Sequence, residues 1–302
     1  MAVFGPLFSR RFGMSLGIDV VGSKDRECDF DCLYCELKAT KKVSSISQPE
    51  DPKALIEAAK EIIASGVKID VLTVTANGEP TLYERLDELI DGLNEIKTTQ
   101  KTLILSNGGS ICNTKIQNAL SKFDIVKLSL DSALENSYKK IDRPLTIDLA
   151  KRIECMADFS KTHGALILET LFVKNVNDSA EDIQALKEAY AKILPLRIDI
   201  STIDRPPAYQ VAPVDELMLY QIAEEIGFAN ICVALRKNAP KCNKSFSRQE
   251  WILTTSKRPL TLSDAKFLAD TESFELFLKL IESDTLKKRT VAGVDFYTQH
   301  AQ

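Results

Sequence analysis

Histidine is almost missing from this chain: 302 residues hold two, His163 and His300. A zinc site built on clustered imidazoles is therefore short of ligands. Long apolar runs are missing too. No stretch approaches the ~18 consecutive apolar residues of a membrane span, and the opening MAVFGPLFSRRFGMSLGIDV lacks the apolar region, about 7–15 residues long, of a secretory leader. The expectation is a cytoplasmic protein without membrane contact. Nor is charge of one sign in excess. The formal net charge is -4, with 27% charged residues, so the chain as a whole has no attraction for nucleic acid or anionic lipid. Repeats and low-complexity tracts do not occur. Cysteines number seven, an odd count scattered unevenly, which fits a reducing compartment better than a disulfide framework. Their thiols are expected to be free for metal.

With 44% hydrophobic residues the chain can bury a large core, and its length fits one large domain with an appendage. From residue 15 to 202, short β-rich runs alternate with longer helical periods, the pattern of a parallel sheet with crossover helices. Six strands are expected: SLGIDVV (15–21), DVLTVTA (70–76), TLILSN (102–107), DIVKLSL (124–130), ALILETLFV (165–173) and RIDISTI (197–203). Helices are expected over 49–66, 81–95, 113–121, 145–160, 178–193 and 216–227. In the first of these Pro52 suits the opening turn and Gly66 the stop. ICVALR (231–236) is strand-like. Periodicity alone leaves both an open doubly wound sheet and a partial barrel standing. In either, chemistry collects at the carboxyl ends of the strands.

The stretch CDFDCLYC places Cys28, Cys32 and Cys35 in one polar loop directly after the first of those strands. A 4Fe-4S cluster normally takes four thiolates, so three leave one iron open to a ligand. Three other readings compete. Zinc would want four closed protein ligands, with only Asp29 and Asp31 nearby as weak substitutes. A thioredoxin-like pair would use Cys32 and Cys35 and leave Cys28 unexplained. Inert buried thiols are common, but a charged loop does not look like core.

The spacing Cys-x3-Cys-x2-Cys, with Tyr34 before the last cysteine, resembles the signature of the radical S-adenosylmethionine (SAM) superfamily. The resemblance implies an α/β fold, a partial (βα)6 barrel, and a 4Fe-4S cluster on Cys28, Cys32 and Cys35 whose open iron is chelated by SAM. It implies reductive cleavage of SAM to a 5'-deoxyadenosyl radical, with electrons from a partner such as flavodoxin or ferredoxin. TANGEP (75–80) is similar to the family's glycine-glycine-glutamate-proline motif, with Asn77 in place of the first glycine. Gly78 and Glu79 then face the methionine moiety. Asn107, and Ser129 or Asp131, stand at neighbouring strand ends as candidates for the ribose. GPLFSRRFGMSLGID, GEPTL and DRPPA narrow the resemblance to stand-alone proteins similar to the wyosine-base synthesis enzymes of transfer RNA, across residues 4 to 210. The second cysteine set used by archaeal wyosine synthases is not found. The substrate stays open among tRNA, a small molecule and a protein. A glycyl-radical activating enzyme is the alternative enzyme, and a non-catalytic metal-binding regulator the alternative of another class.

Several residues carry two readings. Glu169 in an apolar strand must be paired or functional, and Lys127 is the candidate pair. Arg10, Arg11 and Arg205 either receive an anionic substrate or are ordinary surface charges. Cys112, Cys155, Cys232 and Cys242 are expected to be structural, with Cys242 the most exposed by context. A boundary near 245 would divide a barrel unit (1–245) from a small winged-helix-like domain (246–302) with helices at 247–255, 262–269 and 272–285 and a hairpin around Gly293. Its third helix carries Glu275, Glu282 and Asp284 against Lys279, which favours a packing role over DNA binding.

Overall fold

The computed structural model describes residues 2–22, 25–37, 39, 41–234, 244–291 and 293–299. His300 and Cys242 lie outside the described residues. Eight strands form one sheet: β1 (Val3–Ser9), β2 (Gly13–Asp19), β3 (Val71–Thr75), β4 (Lys101–Ser106), β5 (Ile125–Ser129), β6 (Leu166–Phe172), β7 (Arg197–Thr202) and β8 (Ile231–Val233). Their spatial order is their chain order, and every neighbouring pair from β2 to β8 is parallel. A doubly wound sheet reverses its strand order at a switch point, whereas this sheet never does. The fold is a partial barrel.

Helices α1 (Pro52–Ala64), α2 (Leu86–Ile96), α3 (Thr114–Leu120), α4 (Glu135–Ile141), α5 (Leu149–His163), α6 (Ala180–Ile193) and α7 (Glu216–Ile226) link the strands. Asp51, Asn113, Asp148, Ser179 and Asp215 cap α1, α3, α5, α6 and α7 with their side chains. Strand register sets two opposite faces. Leu72, Val74, Ile104, Val126, Leu168 and Ile198 share one face of the sheet and are fully buried in the main core. The alternate residues Thr73, Lys127, Ser129, Glu169 and Ser201 face the lumen. Polar residues in these strands are thus the inner phase of a two-residue period.

Two elements were not expected. β1 pairs antiparallel with β2 at the sheet edge, and its register shifts between Phe4 and Leu7, around the cis Gly5-Pro6 bond. An edge strand tolerates the missing proline N–H, so the Gly-Pro pair does not break it. The short helix α4 has no side-chain cap and buries only Tyr138 and Ile141.

The C-terminal elements follow the expected order: α8 (Arg248–Lys257), α9 (Leu262–Leu268), α10 (Thr271–Glu282) and the hairpin β9 (Lys287–Val291) and β10 (Val294–Thr298). Ser247 with Glu250, and Thr261 with Asp264, form reciprocal caps that start α8 and α9. Trp251 is fully buried, stacks on Phe246 at 4.1 Å, and donates its indole N–H to the Ser273 carbonyl at 2.9 Å. This core also takes in Leu7 of β1, so the tail is packed onto the barrel's edge strand.

The cysteine expectation needs one correction. Cys112 is exposed and forms a disulfide with Cys155 of α5, because α5 packs beside the β4–α3 loop and brings the Cα atoms to 5.3 Å. The bond closes a separation of 43 residues. Cys112→Ser is expected to lower the unfolding free energy by about 3 kcal/mol in oxidising buffer, read by chemical denaturation. Equal stability of oxidised and reduced wild type would show that the bond does not form in solution.

Candidate functional site

A cavity of about 490 Å³ occupies the barrel lumen, well inside the range of small-molecule sites. Cys28, Cys32, Cys35, Gly78, Glu79, Asn107, Ser129 and Asp131 all line it. The sequence therefore placed every one of its expected site residues on a single surface.

The cysteine loop hangs between fixed points. Asp31 N–H donates to the Asp142 carbonyl at 3.1 Å and Leu33 N–H to the Ile141 carbonyl at 2.8 Å. These carbonyls end α4 and would otherwise lack partners, which explains what that short helix does. Ala208 N–H donates to the Cys35 carbonyl at 2.7 Å, so the DRPPA segment closes the loop's far side. All three thiols are free. Phe30 N–H at 3.4 Å and Asn107 Nδ2 at 3.7 Å point at Cys28 Sγ, and Arg26 lies against Cys35. N–H donors and a cation suit sulfurs that carry negative charge. Burial pushes all three thiols above the usual range. Among the described residues no three His, Cys, Asp or Glu side chains converge on a single-ion site. A cubane attaches each thiolate to a different iron and does not need that convergence.

The segment leading into the loop is bound to the strand-β3 turn. Glu27 N–H donates to the Asn77 carbonyl, and Glu79 N–H to the Glu27 carbonyl, both at 2.9 Å. At Gly78, with φ +144, an added Cβ would stand 1.7 Å from the Glu27 carbonyl oxygen. The close approach that requires glycine is thus made by the chain itself.

Glu79 is 2% exposed, and its carboxylate accepts from Thr81 N–H, the Thr81 and Ser106 hydroxyls and Asn107 N–H at 2.6–2.9 Å. Burial, then Asp29, pushes its pKa up to about 7. Asp131 is buried too, accepting from Leu171 N–H at 2.7 Å and from the Tyr34 hydroxyl. Burial, then the nearby Asp142, keeps its pKa well above the carboxylate range. Asp131 therefore ties the aromatic residue of the cysteine motif to β6. The Ser129 side chain is the more open of the two ribose candidates.

Sequence reasoning missed Arg152 of α5. Its Nη2 donates to the carbonyls of both Asn107 and Ser129, and its guanidinium lies 5.5 Å from Phe30 and 5.3 Å from Tyr138. It fixes two strand ends from outside. The signal was present: Leu149, Arg152 and Met156 share one helical face, so an arginine occupies an apolar position. The expected Lys127–Glu169 pair is found at 2.8 Å, widened by Asp199 at 3.2 Å from Lys127 and by Arg11 on Glu169. Arg10 pairs with Asp204, and Arg205 with Glu36 at 2.9 Å; both arginines line the cavity rather than the outer surface.

A partial barrel whose open rim carries three free thiols beside a glycine-glutamate turn is the architecture of a cluster-dependent enzyme. A sequence model of the radical SAM superfamily matches residues 26–189. A UPF0026 protein of Helicobacter pylori (strain J99) is 37% identical over 300 residues, 98% of this chain and 96% of that one. The fold is similar to Streptococcus suis SuiB bound to S-adenosylmethionine, with TM-score 0.55 and 18% identity over 70% of this chain and 49% of that one. It is also similar to TYW1 with a lysine-pyruvate adduct bound, with TM-score 0.51 and 20% identity over 70% of this chain and 72% of that one. The chain belongs to the radical SAM superfamily, an enzyme family whose cofactors are a 4Fe-4S cluster and SAM. Among the described residues no helix is long and apolar enough to cross a membrane.

Proposed function

We propose that this protein reductively cleaves SAM to a 5'-deoxyadenosyl radical and acts on a substrate held in the same lumen. The observation that carries this reading is that the three free cysteines and the five expected SAM-facing residues line one cavity. When bound, the cluster and SAM supply the one-electron chemistry. The protein's own work is placement. Cys28, Cys32 and Cys35 would hold the cluster, with Asn107 and Phe30 donating toward Cys28. Gly78 and Glu79 would bound the methionine end, and Ser129 the ribose. Asp131 positions Tyr34. Electrons would come from a flavodoxin or ferredoxin in the cytoplasm. The division into a barrel unit (1–245) and a tail (246–302) belongs to the same proposal.

Anaerobic reconstitution tests it. The expected result is a brown protein containing iron and sulfide that yields 5'-deoxyadenosine from SAM on reduction with dithionite. Zinc without sulfide would support the regulator reading instead and end this one. A glycyl-radical activating role would require a partner protein that acquires the radical, and nothing in the cavity favours it.

A further inference from the structure

Six cations face the lumen: Arg10, Arg11, Lys127, Arg205, Lys257 and Arg258. Five have a carboxylate. Arg10 holds Asp204, Arg11 and Lys127 share Glu169 and Asp199, Arg205 holds Glu36, and Lys257 of α8 reaches Asp19 at the end of β2. Arg258, the residue after α8, makes no ion pair among the described residues. It donates Nη1 to the Phe8 carbonyl at 3.0 Å. Asp264 is near enough to be felt electrostatically, but its carboxylate caps α9 through Thr261. Burial, then the neighbouring Arg205, lowers the Arg258 pKa to about 10, which still leaves it charged at neutral pH. A guanidinium set beside other guanidinium groups without its own carboxylate is unfavourable unless an anion completes the group.

We propose that Arg258, with Arg205 and Arg10 beside it, is the docking point for an oxyanion carried by the substrate, a carboxylate or a phosphate. Asp204, Glu36 and Asp264 stand near these three arginines, but among the described residues Arg258 alone of the three has no carboxylate within ion-pair distance, so its fork is the one left for a ligand oxyanion. The planar fork of arginine suits both anions. This assigns the C-terminal segment a part in the substrate site: α8 delivers Arg258 and Lys257 to the lumen, and packing of the tail core on β1 holds α8 there. The substrate is then a small acid, or the acidic end of a larger molecule, sized to a cavity of about 490 Å³ shared with SAM.

The inference rests on the lumen being the radical SAM site, and its test reads binding rather than turnover. Inorganic phosphate and acetate are titrated separately, at constant ionic strength, into cluster-loaded protein with SAM, and into Arg258→Gln protein of matched iron content. At least one anion is expected to bind the wild type, and Arg258→Gln to weaken it about tenfold. If Arg258→Gln does not fold, Arg258→Lys, which keeps the charge but not the fork, is expected to weaken it about threefold. Binding of neither anion to the wild type, or equal binding by wild type and variant, overturns the proposal. Failure of the wild type to load a cluster strikes the proposed function instead. The anion titration of cluster-free protein then still decides this one.

Discussion

Cys32→Ala protein is expected to fold, to retain little iron and sulfide after anaerobic reconstitution, and to lose 5'-deoxyadenosine formation by more than about a thousandfold, ~4 kcal/mol in barrier terms. The loop's shape does not depend on the Cys32 sulfur. Its backbone is anchored by Leu33 N–H on Ile141, by Val43 N–H on the Cys28 carbonyl at 2.9 Å, and by Ala208 N–H on Cys35. Alanine therefore removes the thiol and leaves the frame. The Cys32 thiol's own protein contact is a long one, 3.5 Å to Asp142 Oδ1, so little else is lost with it. Thermal unfolding of the cluster-free forms should differ little between wild type and variant. A variant that keeps wild-type iron and still cleaves SAM would sink the assignment of this loop.

The second large effect lies deeper in the lumen. Lys127→Met is expected to destabilise the protein by about 3 kcal/mol at pH 7, measured by urea unfolding. The Lys127 side chain is 2% exposed and stands between Glu169 and Asp199. Removing it leaves two carboxylates to Arg11 and Arg197, the latter 2.8 Å from Asp199. Those arginines keep the loss near the lower end of what breaking a buried ion pair costs. The effect depends on pH in a defined direction. Burial alone would raise the Glu169 pKa, but Lys127 and then Arg11 overcome it and hold the carboxyl at about 2, below its ordinary value of 4.5. A depressed folded-state pKa gives stability that is full above 4.5 and is lost as pH falls toward 2. Without Lys127 the folded-state pKa rises, so the gap between wild type and variant should shrink below pH 4.5. A gap under about 1 kcal/mol at pH 7, or one that holds constant down to pH 3, would show that Lys127 does not support Glu169 in this way.

The parallel strands β2 to β7 could be read from the sequence because their apolar residues recur in register against a helical layer. The cysteine loop and the turn around Gly78 and Glu79 could be read because both are local motifs at strand ends. β1 was hidden by Gly5-Pro6, which looks like a break until the strand is seen to lie at an edge. α4 was hidden by its length, and its use emerges only in the N–H groups of the cysteine loop that it receives. Arg152, Asp142 and Arg258 act on partners tens to hundreds of residues away, and single-sequence periodicity carries no information about such pairs. The Cys112–Cys155 bond has the same origin: it depends on how α5 leans on a loop, not on any spacing. Glu169 was the exception. A charge in an apolar run announced itself, and the lumen phase of β6 accounts for it.

The backbone bridge between Glu27 and Gly78 joins the cysteine loop and the glycine-glutamate turn into one piece of masonry. Neither can shift without carrying the other. Transplanting the eight-residue cysteine stretch alone into a foreign barrel would leave it unmoored, whereas moving both stones together preserves their spacing.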